Sequence, residues 1–249
     1  MTRILCVGDL HGDLTALEVA CVRSHDLRCN AVLQLGDWGF IWPGREMLHA
    51  QASVIVKDTD TRFVFIDGNH DYHDGIRAAY PSQDYYLPDI APGQMVYLDR
   101  GRTLSPETGA QILGMGGAGS VDRRSRVPGR SWFATEAITE AEVAAVRRFD
   151  IKPVLACHDT PRIIDALLPG YSWPEDALRA CAADRDRLVE VVALAKPQLI
   201  IHGHMHYSAT SSYAGIPVRA LAHAQSPGGF GRWATILNLD GPETWLEDI

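Results

Sequence analysis

The sequence predicts an α/β fold, because short apolar strands alternate with helical stretches along much of the chain. The apolar runs are rich in β-branched and aliphatic residues, and each stops at a polar loop that usually contains glycine, as buried strands do. Helical periodicity follows most of these loops in the first third of the chain. We therefore expect βαβ units around a buried sheet.

The first third of the chain shows the pattern of strand, loop and helix in its most regular form. Strands are expected at residues 3–7, 31–35 and 62–66, and helices at residues 14–25 and 45–57. Asp13 stands directly before the first helix, where its carboxylate can accept hydrogen bonds from the free amides of the first turn.

The middle of the chain is less regular. Residues 80–93 contain three prolines and indicate a loop, and residues 116–130 form a long loop, glycine-rich and then basic, of a kind that is often functional. Between these loops, short strands are expected at residues 95–98, 102–104 and 110–114, with a turn at 107–109. Residues 139–148 predict a helix that begins with a capping box of Thr139 and Glu142.

The last part of the chain returns to strands that end in polar loops. Strands are expected at residues 153–157 and 198–201, a long amphipathic helix at 176–195, and three closing strands at 207–213, 218–222 and 233–239. No low-complexity linker or internal repeat divides the sequence, so we expect a single domain over residues 1–249.

Composition and charge exclude several classes of partner. The 249 residues include 31 acidic and 23 basic side chains, a formal net charge of −8, which gives no general attraction to a nucleic-acid backbone or an anionic membrane. No apolar run is long enough for a membrane span, and the N-terminus has no signal-peptide pattern, so we expect a cytoplasmic protein. The five cysteines are scattered along the chain, which favours free thiols in a reducing compartment.

Polar donor residues stand directly after five of the predicted strands. In open α/β sheets ligands bind outside the carboxyl ends of strands, so we expect these loops to converge. Oxygen and imidazole donors without a thiolate suit divalent cations such as manganese or iron, and seven donors with a carboxylate able to bridge suit two ions better than one. The candidate metal ligands are Asp9, His11, Asp37, Asn69, His158, His204 and His206.

These blocks resemble the motifs of the calcineurin-like metallophosphoesterases. The matching blocks, in the order of the family, are Asp9-x-His11, Gly36-Asp37, Gly68-Asn69-His70-Asp71, a lone His158 and Gly203-His204-x-His206. A less specific likeness to a phage and bacterial subgroup of small phosphodiesterases lies in Gly116-Gly117-Ala118-x-Ser120-x-Asp122, with Arg126, Trp132 and Glu136. The resemblance implies an αββα four-layer sandwich, in which two mixed β-sheets are flanked by helices.

The resemblance also implies a role for each residue. The first metal would be held by Asp9, His11 and His206, the second by Asn69, His158 and His204, and Asp37 would bridge them. Manganese is expected first, with iron, zinc or cobalt as alternatives. A metal-bound hydroxide would attack the phosphoester, and His70 would be the catalytic residue that stabilises the phosphoryl charge or protonates the leaving alkoxide. Asp71 is a candidate to orient the His70 ring.

One departure from the family pattern bears on the substrate. Protein phosphatases of the superfamily follow their Gly-Asp with a phosphate-binding arginine in a spaced Asp-Arg-Gly, which this chain lacks after Asp37. We therefore expect a phosphodiesterase acting on a nucleotide or another small diester. The alternatives are a phosphomonoesterase, meaning a protein or nucleotide phosphatase, and a non-catalytic binding scaffold.

Other residues have two open interpretations. Trp38 and Trp42 could stack against a nucleobase or aryl group, or pack in the core. Arg126 would be the first candidate for substrate contact if its loop folds over the metals. The remaining histidines are expected to be surface or structural, with a packing or supporting role for the one that ends a strand; they are His25, His49, His73, His223 and, at the strand end, His202.

Overall fold

The computed structural model describes residues 1–161 and 175–249, and these form thirteen strands and six α-helices. The strands are β1 Thr2–Val7, β2 Ala31–Leu35, β3 Phe63–Ile66, β4 Tyr85–Tyr86, β5 Met95–Tyr97, β6 Thr103–Ser105, β7 Ile112–Met115, β8 Val154–Cys157, β9 Leu199–His202, β10 Ala209–Tyr213, β11 Ile216–Ala220, β12 Ala234–Asp240 and β13 Glu243–Glu247. The helices are α1 Leu14–Asp26, α2 Glu46–Asp58, α3 His73–Ala79, α4 Glu140–Ala144, α5 Glu175–Ala195 and α6 Phe230–Trp233.

The described strands form two mixed sheets. The six-stranded sheet has the order β13-β12-β1-β2-β3-β5, with β1, β2, β3 and β5 parallel and β12 antiparallel to β1. The seven-stranded sheet has the order β10-β11-β9-β8-β7-β6-β4, with β7, β8, β9 and β11 parallel. Parallel strands need crossovers, and most of the helices lie in these crossovers.

Three apolar clusters define four layers. Successive side chains of a strand point to opposite faces of the sheet, so Ile4 and Cys6 of β1 lie in the cluster between the two sheets, whereas Leu5 and Val7 pack on the other face with α1 and α2. In the second sheet, Leu155 of β8 faces outward into the third cluster, which α5 covers. The αββα four-layer sandwich implied by the resemblance is thereby confirmed.

The predicted helix starts agree with the structure. The Asp13 carboxylate accepts hydrogen bonds from the amides of Thr15 at 2.9 Å and Ala16 at 3.1 Å, so it caps α1. The capping box of Thr139 and Glu142 is present, although α4 ends at Ala144 rather than at residue 148.

Several short elements of the structure are not predicted from the sequence. Helix α3 has only seven residues, helix α6 only four, and β13 follows β12 through a tight turn, so there are four closing strands rather than three. The loop predicted at residues 80–93 contains the two-residue strand β4, which pairs with β6. Elements of this length are too short for a periodic apolar pattern to develop.

The layers place five strand ends at one edge of the sandwich. The loops after β1, β2 and β3 of the first sheet meet the loops after β8 and β9 of the second sheet there, as the contacts described below show. Of the helices in residues 1–161 and 175–249, none combines the length and the apolar character that crossing a membrane requires.

Candidate metal centre

The predicted ligands converge into two clusters that share one carboxylate. The first cluster has ligand atoms within 4.8 Å of one another on Asp9, His11, Asp37 and His206, and the second has them on Asp37, His158 and His204. Asn69 lies against the second cluster, because its Oδ1 is 3.1 Å from Nε2 of His158. All seven candidate ligands are therefore brought together.

The first cluster draws two imidazole rings onto one carboxylate oxygen. Nε2 of His206 lies 3.1 Å from Nε2 of His11 and 3.1 Å from Oδ2 of Asp9. Nε2 of His11 lies 3.9 Å from Oδ2 of Asp9 and 3.8 Å from Oδ2 of Asp37. Two imidazole nitrogens that face each other beside two carboxylates form a donor set suited to a divalent cation.

Each carboxylate keeps one oxygen free because the backbone holds the other. Oδ1 of Asp9 accepts a hydrogen bond from the amide of His204 at 3.0 Å, and Oδ1 of Asp37 accepts one from the amide of His70 at 2.7 Å. The backbone also orients the His158 ring. Its Nδ1 lies 2.8 Å from the Leu35 carbonyl oxygen, which leaves Nε2 facing Asp37 at 3.2 Å.

Three buried polar atoms in the two clusters form no well-aligned hydrogen bond with any described residue, even though Nε2 of His206 lies 3.1 Å from Oδ2 of Asp9. They are Oδ2 of Asp9, Oδ2 of Asp37 and Nε2 of His204, on residues that are 1 %, 1 % and 9 % exposed. Buried polar groups are otherwise almost always satisfied, because an unsatisfied one costs about 1–3 kcal/mol. Convergent free donors of oxygen and nitrogen fit a site for metal ions.

The electrostatics of the centre favour anionic carboxylates. Burial would raise the pKa of Asp37, but His158 and His70 outweigh it and hold the pKa well below the usual value. Burial would lower the pKa of His158, but the Asp37 carboxylate raises it to about 10. Burial lowers the pKa of His204 to about 4, so this ring is neutral and able to donate a lone pair at neutral pH.

Four of the candidate ligands have a left-handed backbone conformation. The φ angles are 49° at His11, 53° at Asp37, 66° at His204 and 55° at His206. Non-glycine residues avoid this region, and such strain persists at functional sites where the surroundings impose it. The tight turns let each side chain project from a strand end toward the shared centre.

Two motif glycines leave the space that the carboxylates occupy. A Cβ at Gly68 would lie 2.2 Å from Oδ1 of Asp37, and a Cβ at Gly203 would lie 2.2 Å from Oδ1 of Asp9. Both distances are far below van der Waals contact. The glycines that precede Asn69 and His204 are thus required by close packing against ligands that come from other loops.

The loop at residues 116–136 supports Asn69 from outside the clusters. The Asn69 amide nitrogen donates to Oγ of Ser120 at 3.1 Å, and this hydroxyl donates to Oε2 of Glu136 at 2.8 Å. Arg126 donates to the same hydroxyl and to the Asn69 carbonyl oxygen. Because the amide nitrogen is bound to Ser120, Oδ1 of Asn69 is left to face His158.

His70 lies at the rim of the centre, partly exposed. Its ring centroid is 5.4 Å from that of His11, and its Nε2 is 3.6 Å from Oδ2 of Asp122. The expectation that Asp71 orients this ring is wrong. The Asp71 carboxylate instead accepts hydrogen bonds from the amides of Trp38, Gly39 and Gly68, so it holds two ligand loops together.

The aromatic residues after Asp37 divide between the core and the site. Trp38 is fully buried and stacks on Phe65, with ring centroids 4.1 Å apart, so of its two interpretations the core one is correct. Trp42 is partly exposed, packs against Phe133 at 5.8 Å, and lines a cavity of about 360 Å³ beside His11 and His70.

Two further residues lie at the centre although the sequence predicts no role for them there. The His223 ring lies 4.4 Å from that of His206. Because His223 follows the end of β11, its position after a strand is the same signal that identifies the candidate ligands. Asp159 is buried 3.9 Å from Nε2 of His204 and accepts a hydrogen bond from Arg185 at 2.9 Å. His202 is buried, which agrees with a packing role.

The family model of the calcineurin-like phosphoesterases matches residues 2–208. The chain belongs to this family. Membership of the calcineurin-like phosphoesterases implies a phosphoester hydrolase, and the family binds metal at a dinuclear site, for which the two Asp/His clusters supply ligands. A search of curated proteins finds no match to the sequence.

Solved structures with low sequence identity share the fold. The protein TT1561 of Thermus thermophilus is 13 % identical with a TM-score of 0.60, over 99 % of this chain and 98 % of that one. A dimetal phosphatase from Danio rerio is 9 % identical with a TM-score of 0.56, over 99 % and 98 %. GAP50, the anchor in the inner membrane complex of Plasmodium, is 9 % identical with a TM-score of 0.56, over 100 % and 84 %.

Proposed function

We propose that this calcineurin-like phosphoesterase hydrolyses phosphodiesters, namely nucleotides or other small diesters, at a dinuclear metal centre. The observation that carries the proposal is the sharing of Asp37 between two donor clusters that contain three unsatisfied buried atoms. A carboxylate shared between two sets of donors suits two neighbouring cations, because its two oxygens can serve both.

The ligands divide between the two ions as follows. Asp9, His11 and His206 would hold the first ion, Asn69, His158 and His204 the second, and Asp37 both. Two divalent cations, when bound, activate water as a nucleophile near neutral pH and neutralise charge on the phosphoryl group. We expect manganese, with iron, zinc or cobalt accepted by the same donors.

His70 is the residue that we propose as catalytic. Its backbone amide is fixed on Asp37, and its ring forms part of the wall of both the metal cleft and the neighbouring cavity. From this position the imidazole N–H can donate to a phosphoryl oxygen or transfer a proton to the leaving alkoxide. Burial lowers the pKa of His70, with Asp37 acting in the opposite direction.

Two features favour a diester over a monoester. The phosphate-binding arginine of the protein phosphatases is missing after Asp37. Arg126, the nearest candidate to replace it, uses its guanidinium on Ser120, the Asn69 carbonyl and the Ser131 carbonyl. The free arginines Arg45 and Arg130 line the neighbouring cavity rather than the metal cleft. The cleft itself therefore suits the single negative charge of a diester better than a dianionic monoester.

The test compares bis-p-nitrophenyl phosphate with p-nitrophenyl phosphate on the manganese-loaded protein. We expect the larger kcat/KM for the diester and a loss of about 10²-fold or more in kcat for His70→Ala, with metal content unchanged. His25→Ala removes a histidine that contacts Thr61, outside both clusters, and serves as the matched control. A large monoester preference would assign the protein as a phosphatase, and a metal-free inactive protein would assign it as a scaffold.

The setting of the enzyme is part of the same proposal. All five cysteines are free, which supports a reducing compartment such as the cytoplasm. We take residues 1–249 as one domain, with a small phosphoester as its partner and no general binding of nucleic acid or membrane.

A further inference from the structure

A basic cavity adjoins the metal cleft. It has a volume of about 360 Å³, within the range of small-molecule sites, and it is lined in part by Trp42, Arg45, Arg126 and Arg130. His70 lines both this cavity and the cleft of about 240 Å³ that contains Asp37. A molecule bound at the metal centre can therefore extend past His70 into the basic cavity.

Two of the three arginines are free to bind a ligand. Arg45 and Arg130 are exposed, and neither forms an ion pair or a side-chain hydrogen bond with any residue in 1–161 or 175–249. Arg126 differs, because its nearly buried side chain donates hydrogen bonds to the Ser120 hydroxyl and to the carbonyl oxygens of Ser131 and Asn69. The cavity thus presents two uncommitted guanidinium groups beside one that is structural.

The charge of the cavity contrasts with that of the whole chain. None of its described lining residues is acidic, although the protein carries a formal net charge of −8. Unpaired cations that line a concave site raise the local concentration of anions. Guanidinium groups bind carboxylate and phosphate oxygens in paired hydrogen bonds, and a terminal phosphate suits two arginines because it offers three acceptor oxygens and a charge near −2.

We propose that Arg45 and Arg130 bind a second phosphate group of the substrate, one that is not hydrolysed. This inference rests on the proposed function, since it names the class of diester that the centre accepts: one whose other half carries a terminal phosphate. Trp42, packed against Phe133, lines the same cavity and offers its ring to a planar group of the substrate.

Calorimetric titration of the manganese-loaded protein tests the inference without turnover. The probes are adenosine 3′,5′-bisphosphate and adenosine 5′-monophosphate, which differ by one phosphate. We expect the bisphosphate to bind at least about tenfold more tightly, and Arg45→Gln and Arg130→Gln each to reduce this preference by about 3–10-fold. Added salt should weaken the preference, because both arginines are exposed.

Arg148→Gln provides the matched control, because it removes one exposed arginine outside the cavity. The control should keep the preference for the bisphosphate. Equal affinities of the wild type for the two probes, or a preference that survives the double variant of Arg45 and Arg130, would overturn the inference. If the protein hydrolyses the diester but binds the two probes with equal affinity, only the second phosphate site is overturned. If it prefers the bisphosphate but does not hydrolyse the diester, only the proposed function is overturned.

Discussion

Removal of the Ser120 hydroxyl should weaken metal binding without any change in the ligands themselves. In Ser120→Ala the Asn69 amide nitrogen loses its acceptor at 3.1 Å, and Glu136 loses the donor at 2.8 Å. A buried donor left unsatisfied costs about 1–3 kcal/mol, and the cost falls if the amide rotates. Rotation, however, turns the amide nitrogen rather than Oδ1 toward His158, so it removes the ligand.

Whether the amide stays unsatisfied or rotates, the binding of the ion beside Asn69 weakens more than the binding of the other ion. Supporting residues of this kind change metal affinity by about 10–100-fold, which equals about 1.4–2.8 kcal/mol. Competition with a fluorescent chelator should resolve two manganese affinities in the wild type and show the weaker binding of one ion in Ser120→Ala. Ser125→Ala is the control, because this exposed hydroxyl of the same loop donates to the Asp122 carbonyl oxygen and, in residues 1–161 and 175–249, forms no hydrogen bond with either cluster. Unchanged affinities in Ser120→Ala would refute the assignment of Asn69 as a ligand held by Ser120.

Three other predictions concern stability and the shared ligand. Arg100→Ala leaves the buried Asp67 carboxylate without its ion pair and should reduce the free energy of unfolding by about 3–5 kcal/mol in urea titrations; a loss below about 1 kcal/mol would contradict this. Burial would raise the pKa of Asp99, but His73 and neighbouring donors hold this pKa below its usual value. The Asp99 carboxylate therefore stabilises the fold above about pH 4, and this stabilisation is lost as the pH falls. The acid-induced fall in the free energy of unfolding should be shallower in Asp99→Asn, and an equal slope in the variant and the wild type would contradict this prediction. Asp37→Asn should reduce the metal content of the reconstituted protein from two ions to one or none, as measured by plasma mass spectrometry, and two retained ions would show that Asp37 is not shared.

The long elements of the fold could be predicted because their sequences contain enough residues for a period to appear. Helices α1 and α2, with 13 residues each, follow this rule. Strands β1 to β3 are short, and they are predicted instead as apolar runs that stop at polar loops. The four-layer arrangement could not be obtained from periodicity, since both faces of the central strands are apolar and the pattern does not say which sheet a strand joins. The four-layer arrangement is predicted only through the resemblance to the family.

The candidate ligands could be predicted because each stands in a short motif at the end of a strand. Their support could not, because it comes from residues distant in sequence: Ser120 reaches Asn69 across 51 positions. The sequence predicts that Asp71 orients the neighbouring His70 ring, whereas its carboxylate accepts hydrogen bonds from backbone amides of two loops. The position of His223 after β11 marks it as a candidate, but its contact with His206 also depends on the pairing of β11 with β9.

A manganese titration of diester hydrolysis tests the dinuclear centre most directly. The protein is first stripped of metal, and the rate of bis-p-nitrophenyl phosphate hydrolysis is then followed as manganese is added in known equivalents. We expect no activity at the start and a rise that ends at two equivalents per chain, since Asp37 joins two clusters of donors. Full activity in the stripped protein, or a plateau at one equivalent, would contradict it.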